Sequence, residues 1–398
     1  MSRIAFVVQR YGEEVNGGAE MLCRMFAERI ARHAEVEVLT SCAIDYMTWK
    51  DEYPPGQTCV NGVPVRRFRV DSPRVRSKFD RYSQWIFSNP HALADELRWV
   101  DLQGPRVSSL LRYLQERRLD YDCFVFFTYL YQTTCLGLPL VRDRALLVPT
   151  AHDEPPIYLG VYDEVFRAAK RLMLCTQEER EFVLRRFCLD EDATEVIGVG
   201  IDEPAVPAPD GFWRAFSPRL GDSQIVTYIG RIDESKGCGV LFEYFLQYIA
   251  YRPERDLKLL LIGKPAMPIP EHPSVLHAGF VSEATKANAM AATRVLLMPS
   301  PYESLSLVLL EAWAAGKPVL VNGDCTVLRG QCRRSNGGLW YRSYEEFAAC
   351  LDTILADDDL CEVLGRHGRT HVLERYTWQG VESAFMANVA SVCGSGNG

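Results

Sequence analysis

Met298-Pro-Ser-Pro-Tyr-Glu303-Ser-Leu-Ser-Leu-Val-Leu-Leu-Glu311-Ala-Trp-Ala-Ala-Gly316-Lys-Pro318 decides how the rest of this chain is read. An apolar run over 295–298 predicts a buried strand, the Pro-Ser-Pro segment a loop, and 304–315 a helix that Gly316 and Pro318 terminate. Glu303 and Glu311 lie eight residues apart, which on a helix gives roughly 12 Å of rise on faces about 80° apart. Glu311 sits among Leu305, Leu307, Val308, Leu309, Leu310, Ala312 and Trp313, so this helix is apolar nearly all round. A carboxylate in such surroundings requires a partner, because burying it alone is costly. The plainer reading makes Glu303 a helix cap and Glu311 a solvated side chain.

The same strand-loop-helix punctuation recurs along the chain. Strands are expected at 4–8, 36–39, 65–70, 123–127, 145–148, 171–175 and 195–197, with helices at 18–33, 107–117 and 177–187. A second series follows, with strands at 225–229, 258–262, 275–277, 295–298 and 319–321 and helices at 240–251, 283–291 and 304–315. Apolar strands alternating with amphipathic helices predict parallel sheets with helical crossovers. Length agrees, since 398 residues suit two domains rather than one. Glu203-Pro-Ala-Val-Pro-Ala-Pro-Asp-Gly211 reads as an exposed linker. The expected organisation is an α/β chain of two Rossmann-like domains facing across a cleft. The first spans 1–203 and the second 204–374; a helix over 375–392 returns to the first domain, and 393–398 form a disordered tail.

Composition excludes several classes. With 47% hydrophobic and 24% charged residues the chain is an ordinary globular one. A net charge of -8 argues against general nucleic-acid binding. The 13 cysteines include no C-x-x-C pair, which points away from zinc and from a disulfide framework and towards a reducing cytoplasm. No stretch approaches the roughly 20 apolar residues of a membrane span, so any membrane contact is expected to be peripheral, at the inner face.

Other segments carry candidate chemistry. Thr227-Tyr-Ile-Gly230-Arg231-Ile-Asp-Glu-Ser-Lys236-Gly237 places two cations in a loop between a strand and a helix. Cations aimed at a departing diphosphate would bind the transition state more tightly than the ground state. As mere surface residues they would be slightly disfavoured by the helix dipole. Backbone N–H groups of Ser304, Leu305, Ser306 and Leu307 would face an anion at the helix start. In the first half, Asn16-Gly17-Gly18-Ala19-Glu20 would let backbone approach a phosphate, although a turn with positive φ explains the pair nearly as well. His152 and Asp153 follow a strand's carboxyl end, where open sheets bind ligands, but a lone histidine is often structural. Asp357-Asp-Asp359 reads as a helix start rather than a metal site. Arg66, Arg67, Arg69, Arg74, Arg76 and Lys78, followed by Phe79, Tyr82, Trp85 and Phe87, read either as a solvated edge or as a surface for an anionic acceptor or lipid.

Taken in order, Gly17-Gly18, His152, Gly200-Ile-Asp202, Gly230-Arg231-x4-Lys236-Gly237 and Glu303-x7-Glu311 resemble the GT-B retaining glycosyltransferases usually called family 4, or glycosyl transferases group 1. The resemblance covers nearly the whole chain and is strongest in its second half. It implies that Glu303 meets the donor sugar, Glu311 the ribose hydroxyls, and Arg231 with Lys236 the diphosphate. Main chain around Phe280 and Val281 would meet the base, while Gly17, Gly18 and His152 would close over the donor from the first domain. A nucleoside diphosphate sugar is then the co-substrate, with no metal or other cofactor. A glycan or lipid-linked molecule is the acceptor, in cell-surface polysaccharide or glycoconjugate synthesis of bacterial type. Where many members carry Gly-Phe-Gly after the first Glu, Ser304-Leu305-Ser306 stands here, so no donor sugar is carried over. The alternatives are another nucleotide-sugar enzyme, such as an epimerase, and a non-catalytic nucleotide- or glycan-binding module of the same fold.

Overall fold

The structure, a computed structural model, describes residues 1–15 and 17–393. It divides into two compact units, Met1–Val199 together with the chain from Val381 onward, and Gly200–Gly380. The division falls at 199/200 and 380/381 rather than at the predicted 203/204 and 374/375.

The first unit holds strands β1 (Arg3–Val7), β2 (Glu35–Ser41), β3 (Gly56–Val60), β4 (Val63–Phe68), β5 (Cys123–Phe127), β6 (Ala145–Val148), β7 (Arg171–Leu174) and β8 (Thr194–Val196). Their order is β3-β4-β2-β1-β5-β6-β7-β8, with every pairing parallel except β3 with β4. Its helices are α1 (Gly18–Ile30), α2 (Arg76–Ile86), α3 (Leu93–Gln103), α4 (Ser108–Glu116), α5 (Gln132–Cys135), α6 (Val161–Ala168) and α7 (Gln177–Phe187). Strands such as Cys123–Phe127 are buried throughout, the mark of a parallel sheet covered on both faces. One face packs Phe166 on Phe187 at 3.9 Å between ring centroids; the other packs Phe26 on Phe385 at 5.2 Å. Phe385 belongs to the last described helix, which is how the chain end joins this unit.

The second unit holds α8 (Gly211–Phe216), β9 (Gln224–Ile229), α9 (Cys238–Tyr251), β10 (Leu257–Ile262), β11 (Val275–Gly279), α10 (Glu283–Ala292), β12 (Val295–Met298), α11 (Leu307–Ala314), β13 (Val319–Asn322), α12 (Thr326–Ser335), β14 (Gly338–Tyr341), α13 (Tyr344–Ala356) and α14 (Asp358–Arg375). The final helix, α15 (Trp378–Cys393), starts here and ends in the first unit. The six strands are all parallel in the order β11-β10-β9-β12-β13-β14. That is the doubly wound 3-2-1-4-5-6 order, whose direction reverses between its first and fourth strands. Here the reversal lies between β9 and β12. In the first unit it lies between β1 and β5.

Several expectations need correction. The helix predicted from residue 304 begins at Leu307, because Ser306 takes φ 78° and cannot join it. The roughly 12 Å helical rise between the two glutamates therefore does not apply, since rise counts only helical residues. Gly211, read as a linker end, opens α8, and Asp210 caps it by accepting the Trp213 N–H at 2.7 Å. Strand β3 was missed; Asn61 (φ 49°) and Gly62 (φ 81°) turn it into β4 as a tight hairpin. Helices α2 and α3 lie in and after the stretch read as a solvated edge. Cys393, assigned to the tail, closes α15, and 394–398 lie outside the described residues. Among the described residues no helix is long and apolar enough to cross a membrane.

Candidate functional site

At the reversal of the second sheet two loops emerge side by side. One follows β9 and carries Gly230, Arg231 and Lys236; the other follows β12 and carries Glu303. Lys236 Nζ donates to Glu303 Oε1 at 2.7 Å, in a pair whose carboxylate side is nearly buried. Gly237 makes that approach possible. A Cβ there would lie 2.4 Å from the Pro299 carbonyl oxygen, and φ is +74°, so only glycine fits. Gly237→Ala is thus expected to destabilise the protein by more than about 1 kcal/mol and to lower kcat by moving Lys236 off Glu303. Denaturant unfolding and steady-state kinetics check this; wild-type values in both would contradict it.

Asp233, a residue not singled out from the sequence, organises the cations. Its Oδ1 accepts the Lys236 N–H at 2.9 Å and the Ser235 hydroxyl at 2.8 Å, and its Oδ2 pairs with Arg231 Nε. Asp directly before a helical turn is a capping signal, and Asp233 stands directly before Glu234–Lys236. Gly230 (φ 154°) lies under the Tyr228 hydroxyl, which donates to the Arg231 carbonyl at 2.7 Å.

The loop after β12 is held from behind. Asn322 Nδ2 donates to the Pro299 carbonyl at 3.1 Å, and fully buried Gln331 donates to the Leu305 carbonyl at 2.5 Å. Ser306 caps α11 through its hydroxyl, which accepts the Leu309 N–H at 3.4 Å. The serine thus holds a left-handed backbone that glycine would adopt without strain, and gains a cap in exchange. With the helix starting at Leu307, the first-turn N–H groups are those of Leu307, Val308 and Leu309, of which Ser306 takes the last, so Ser304 to Ser306 precede the helix rather than open it.

Glu311 lies within α11. Its Oε1 accepts from Lys286 Nζ at 3.0 Å, and Lys286 also meets Glu283 at 2.7 Å. Its Oε2 is shut from solvent and has no hydrogen-bond partner among the described residues. Burial raises the Glu311 carboxyl above the usual range, and Lys286 only partly opposes this. Phe280, two-thirds exposed (66%), and Val281 follow β11; the Lys264 ammonium stands 5.6 Å from the Phe280 ring centroid. Asp357 caps α14 through the Leu360 N–H and Asp358 pairs with Arg294, so the acidic run opens a helix.

The remaining candidates belong to the first unit. Asn16 lies outside the described residues. Gly17 has extended backbone (φ 167°), so positive φ is not its reason; a Cβ would lie 2.2 Å from Glu20 Oε2. Glu20 forms a buried ion pair with Arg10, and Arg10 also donates to the Ile44 carbonyl at 2.6 Å. Gly18 opens α1 with open space around it.

His152 Nδ1 stands 3.4 Å from Glu154 Oε1, which also accepts the Tyr129 hydroxyl at 3.1 Å. Beneath it, fully buried Glu179 accepts the N–H groups of Ala151 and Cys175, each at 2.6 Å, and so fixes the loop that presents His152. Burial lifts the Glu179 carboxyl from 4.5 to about 7. A raised carboxyl stabilises the fold most below its unfolded value and loses that contribution as pH rises through the folded one. Wild-type stability relative to Glu179→Gln should therefore fall between pH 4.5 and 7, by at most about 1.36 kcal/mol per pH unit. Unfolding free energies across that range check it, and a constant difference would contradict it.

Of the basic stretch, Arg74 is not available to a ligand. It is half-buried, donates to the Gln103 carbonyl at 2.9 Å, and lies over the Trp49 and Phe79 rings at 5.0 and 4.7 Å. Burial lowers it to about 10. Arg66 is bound by Glu37 at 3.0 Å and Arg67 by the Tyr11 carbonyl at 2.9 Å. Arg76, exposed, pairs with Asp80 at 3.4 Å, and Lys78 is exposed on α2.

A profile of the family described as glycosyl transferases group 1 matches residues 223–357, which take in both loops and α11. Among known proteins, an uncharacterized glycosyltransferase of Methanocaldococcus jannaschii is 24% identical over 95% of each chain. Among solved structures, sucrose-phosphate synthase from Thermosynechococcus elongatus superposes with a TM-score of 0.74 at 19% identity, over 99% of this chain and 100% of that one. The Anabaena HepE protein, solved with UDP-glucose, does so with a TM-score of 0.70 at 14% identity, over 98% and 100%.

Proposed function

The chain is a group 1 glycosyltransferase with the GT-B fold, and from that premise we propose that it moves a sugar from a nucleoside diphosphate to an acceptor hydroxyl with retention at the anomeric carbon. The observation that carries the donor assignment is the Lys236–Glu303 pair between the two loops at the sheet reversal, the place where doubly wound sheets bind nucleotides, with Glu311 on the helix that follows the second loop. Ribose hydroxyls would donate to the Glu311 carboxylate, whose side chain is partly exposed, and so offset part of the cost of its burial. Arg231 and Lys236 would face the diphosphate as charge accumulates on it, and Glu303 would orient the sugar. Retention is assigned to attack on the face the diphosphate leaves from, with that diphosphate taking the acceptor proton, the route that the resemblance to the GT-B retaining family implies. The UDP-glucose held by HepE makes UDP-sugars the first donors to test. The acceptor is assigned to a glycan or lipid-linked molecule of cell-surface polysaccharide or glycoconjugate synthesis.

The experiment is incubation with UDP-, GDP- and ADP-sugars and a set of glycosides, followed by proton NMR of the product. Release of the nucleoside diphosphate with an anomeric configuration equal to the donor's is expected. An inverted product would overturn retention, and conversion of the donor sugar without acceptor would point to an epimerase.

A further inference from the structure

Helix α2 carries Lys78, Arg81 and Trp85 at spacings of three and four, which places them on one face. From α3, Arg98 reaches over the Tyr82 ring at 5.0 Å. These side chains and Ser77 line a shallow cavity of about 580 Å³ that contains no carboxylate. Each acid of the two helices has a partner. Asp80 pairs with Arg76, Glu96 takes the Val161 N–H and His91, Asp101 pairs with Arg106 at 2.9 Å, and Asp95, behind the cavity wall, takes the Ala92 N–H and the Tyr82 hydroxyl. A cationic surface therefore stands out on a chain whose net charge is -8.

Apolar side chains are exposed on the same segment: Val75 at 62%, Leu93 at 59%, Leu97 at 43% and Trp85 at 39%. A soluble acidic glycan would account for the cations and the aromatic rings but not for leucines and a valine held in water. Cations with long aliphatic stems beside exposed Leu, Val and Trp match a bilayer interface, where the stems and rings enter the headgroup layer and the charges stay at phosphate level. We propose that the α2–α3 face of the first unit docks on an anionic phospholipid surface, with a lipid phosphate in the cavity between Lys78, Arg81 and Arg98. The docking goes beyond the transfer reaction and does not depend on the donor assignment.

The test is co-sedimentation of the full chain, without nucleotide, with vesicles of phosphatidylcholine alone and of phosphatidylcholine with phosphatidylglycerol. Binding to the anionic vesicles and its weakening by salt are expected. Each lost cation should reduce partition about fivefold, so the Lys78→Ala, Arg81→Ala double variant should bind roughly thirtyfold more weakly. Trp85→Ala should weaken binding at high salt as well. An unaltered melting temperature shows that the double variant is folded. Equal binding to both vesicle types, binding to neither, or an unaffected double variant would overturn the proposal. So would retention by a soluble anionic polysaccharide without retention by vesicles.

Discussion

Replacing Lys236 by alanine is expected to lower kcat by about 10²- to 10³-fold, the usual effect of removing one preorganised charge from a developing anion. KM for the donor should change much less, because the ammonium is most valuable when the sugar-phosphate bond is breaking. In the free protein Lys236 is occupied by Glu303 at 2.7 Å. Its removal leaves a nearly buried carboxylate unpaired, so the variant should also unfold more easily. A double variant separates the two effects. Lys236→Ala with Glu303→Gln should recover much of the lost stability and none of the lost kcat. Recovery of both together would make Lys236 a structural residue only.

Glu311→Gln is expected to weaken donor binding by about 10- to 100-fold, since a charge-assisted hydrogen bond contributes about 1.5 to 3 kcal/mol. Glutamine keeps one oxygen but replaces the other by an amide N–H₂, a donor in a group from which ribose hydroxyls require acceptors. Without nucleotide the same variant should be as stable as the wild type or more so, because it removes a charge whose burial Lys286 only partly offsets. Gain of stability with loss of donor affinity would mark Glu311 as a binding residue. Unchanged KM for the donor would remove it from the site.

Much of this was legible in the sequence for definite reasons. The strands were found because parallel strands covered on both faces are short continuous apolar runs, and 123–127, 145–148 and 295–298 coincide with the observed β5, β6 and β12. What escaped depends on contacts between distant residues. Nothing in Arg74 and Lys78 as residue types distinguishes the one stacked on Trp49 and Phe79 from the one exposed on α2. The late start of α11 follows from the backbone of Ser306, fixed by a loop that Asn322 and Gln331 hold in place. Lys286, 25 residues before Glu311, could not be named as its partner until α10 was in place. The β3–β4 hairpin is a different matter, because Asn61-Gly62 between strand-forming residues is a local signal, legible without any distant contact.

Whether the second unit holds a nucleoside diphosphate at the β9–β12 reversal is read from the melting temperature of the protein with UDP, GDP, ADP and their sugars, since a ligand at about 100 times its Kd stabilises by about 2.7 kcal/mol. A rise with at least one of these nucleotides, lost or greatly reduced in Glu311→Gln, is the predicted result. No rise with any of them, or a rise that Glu311→Gln leaves intact, would contradict the account.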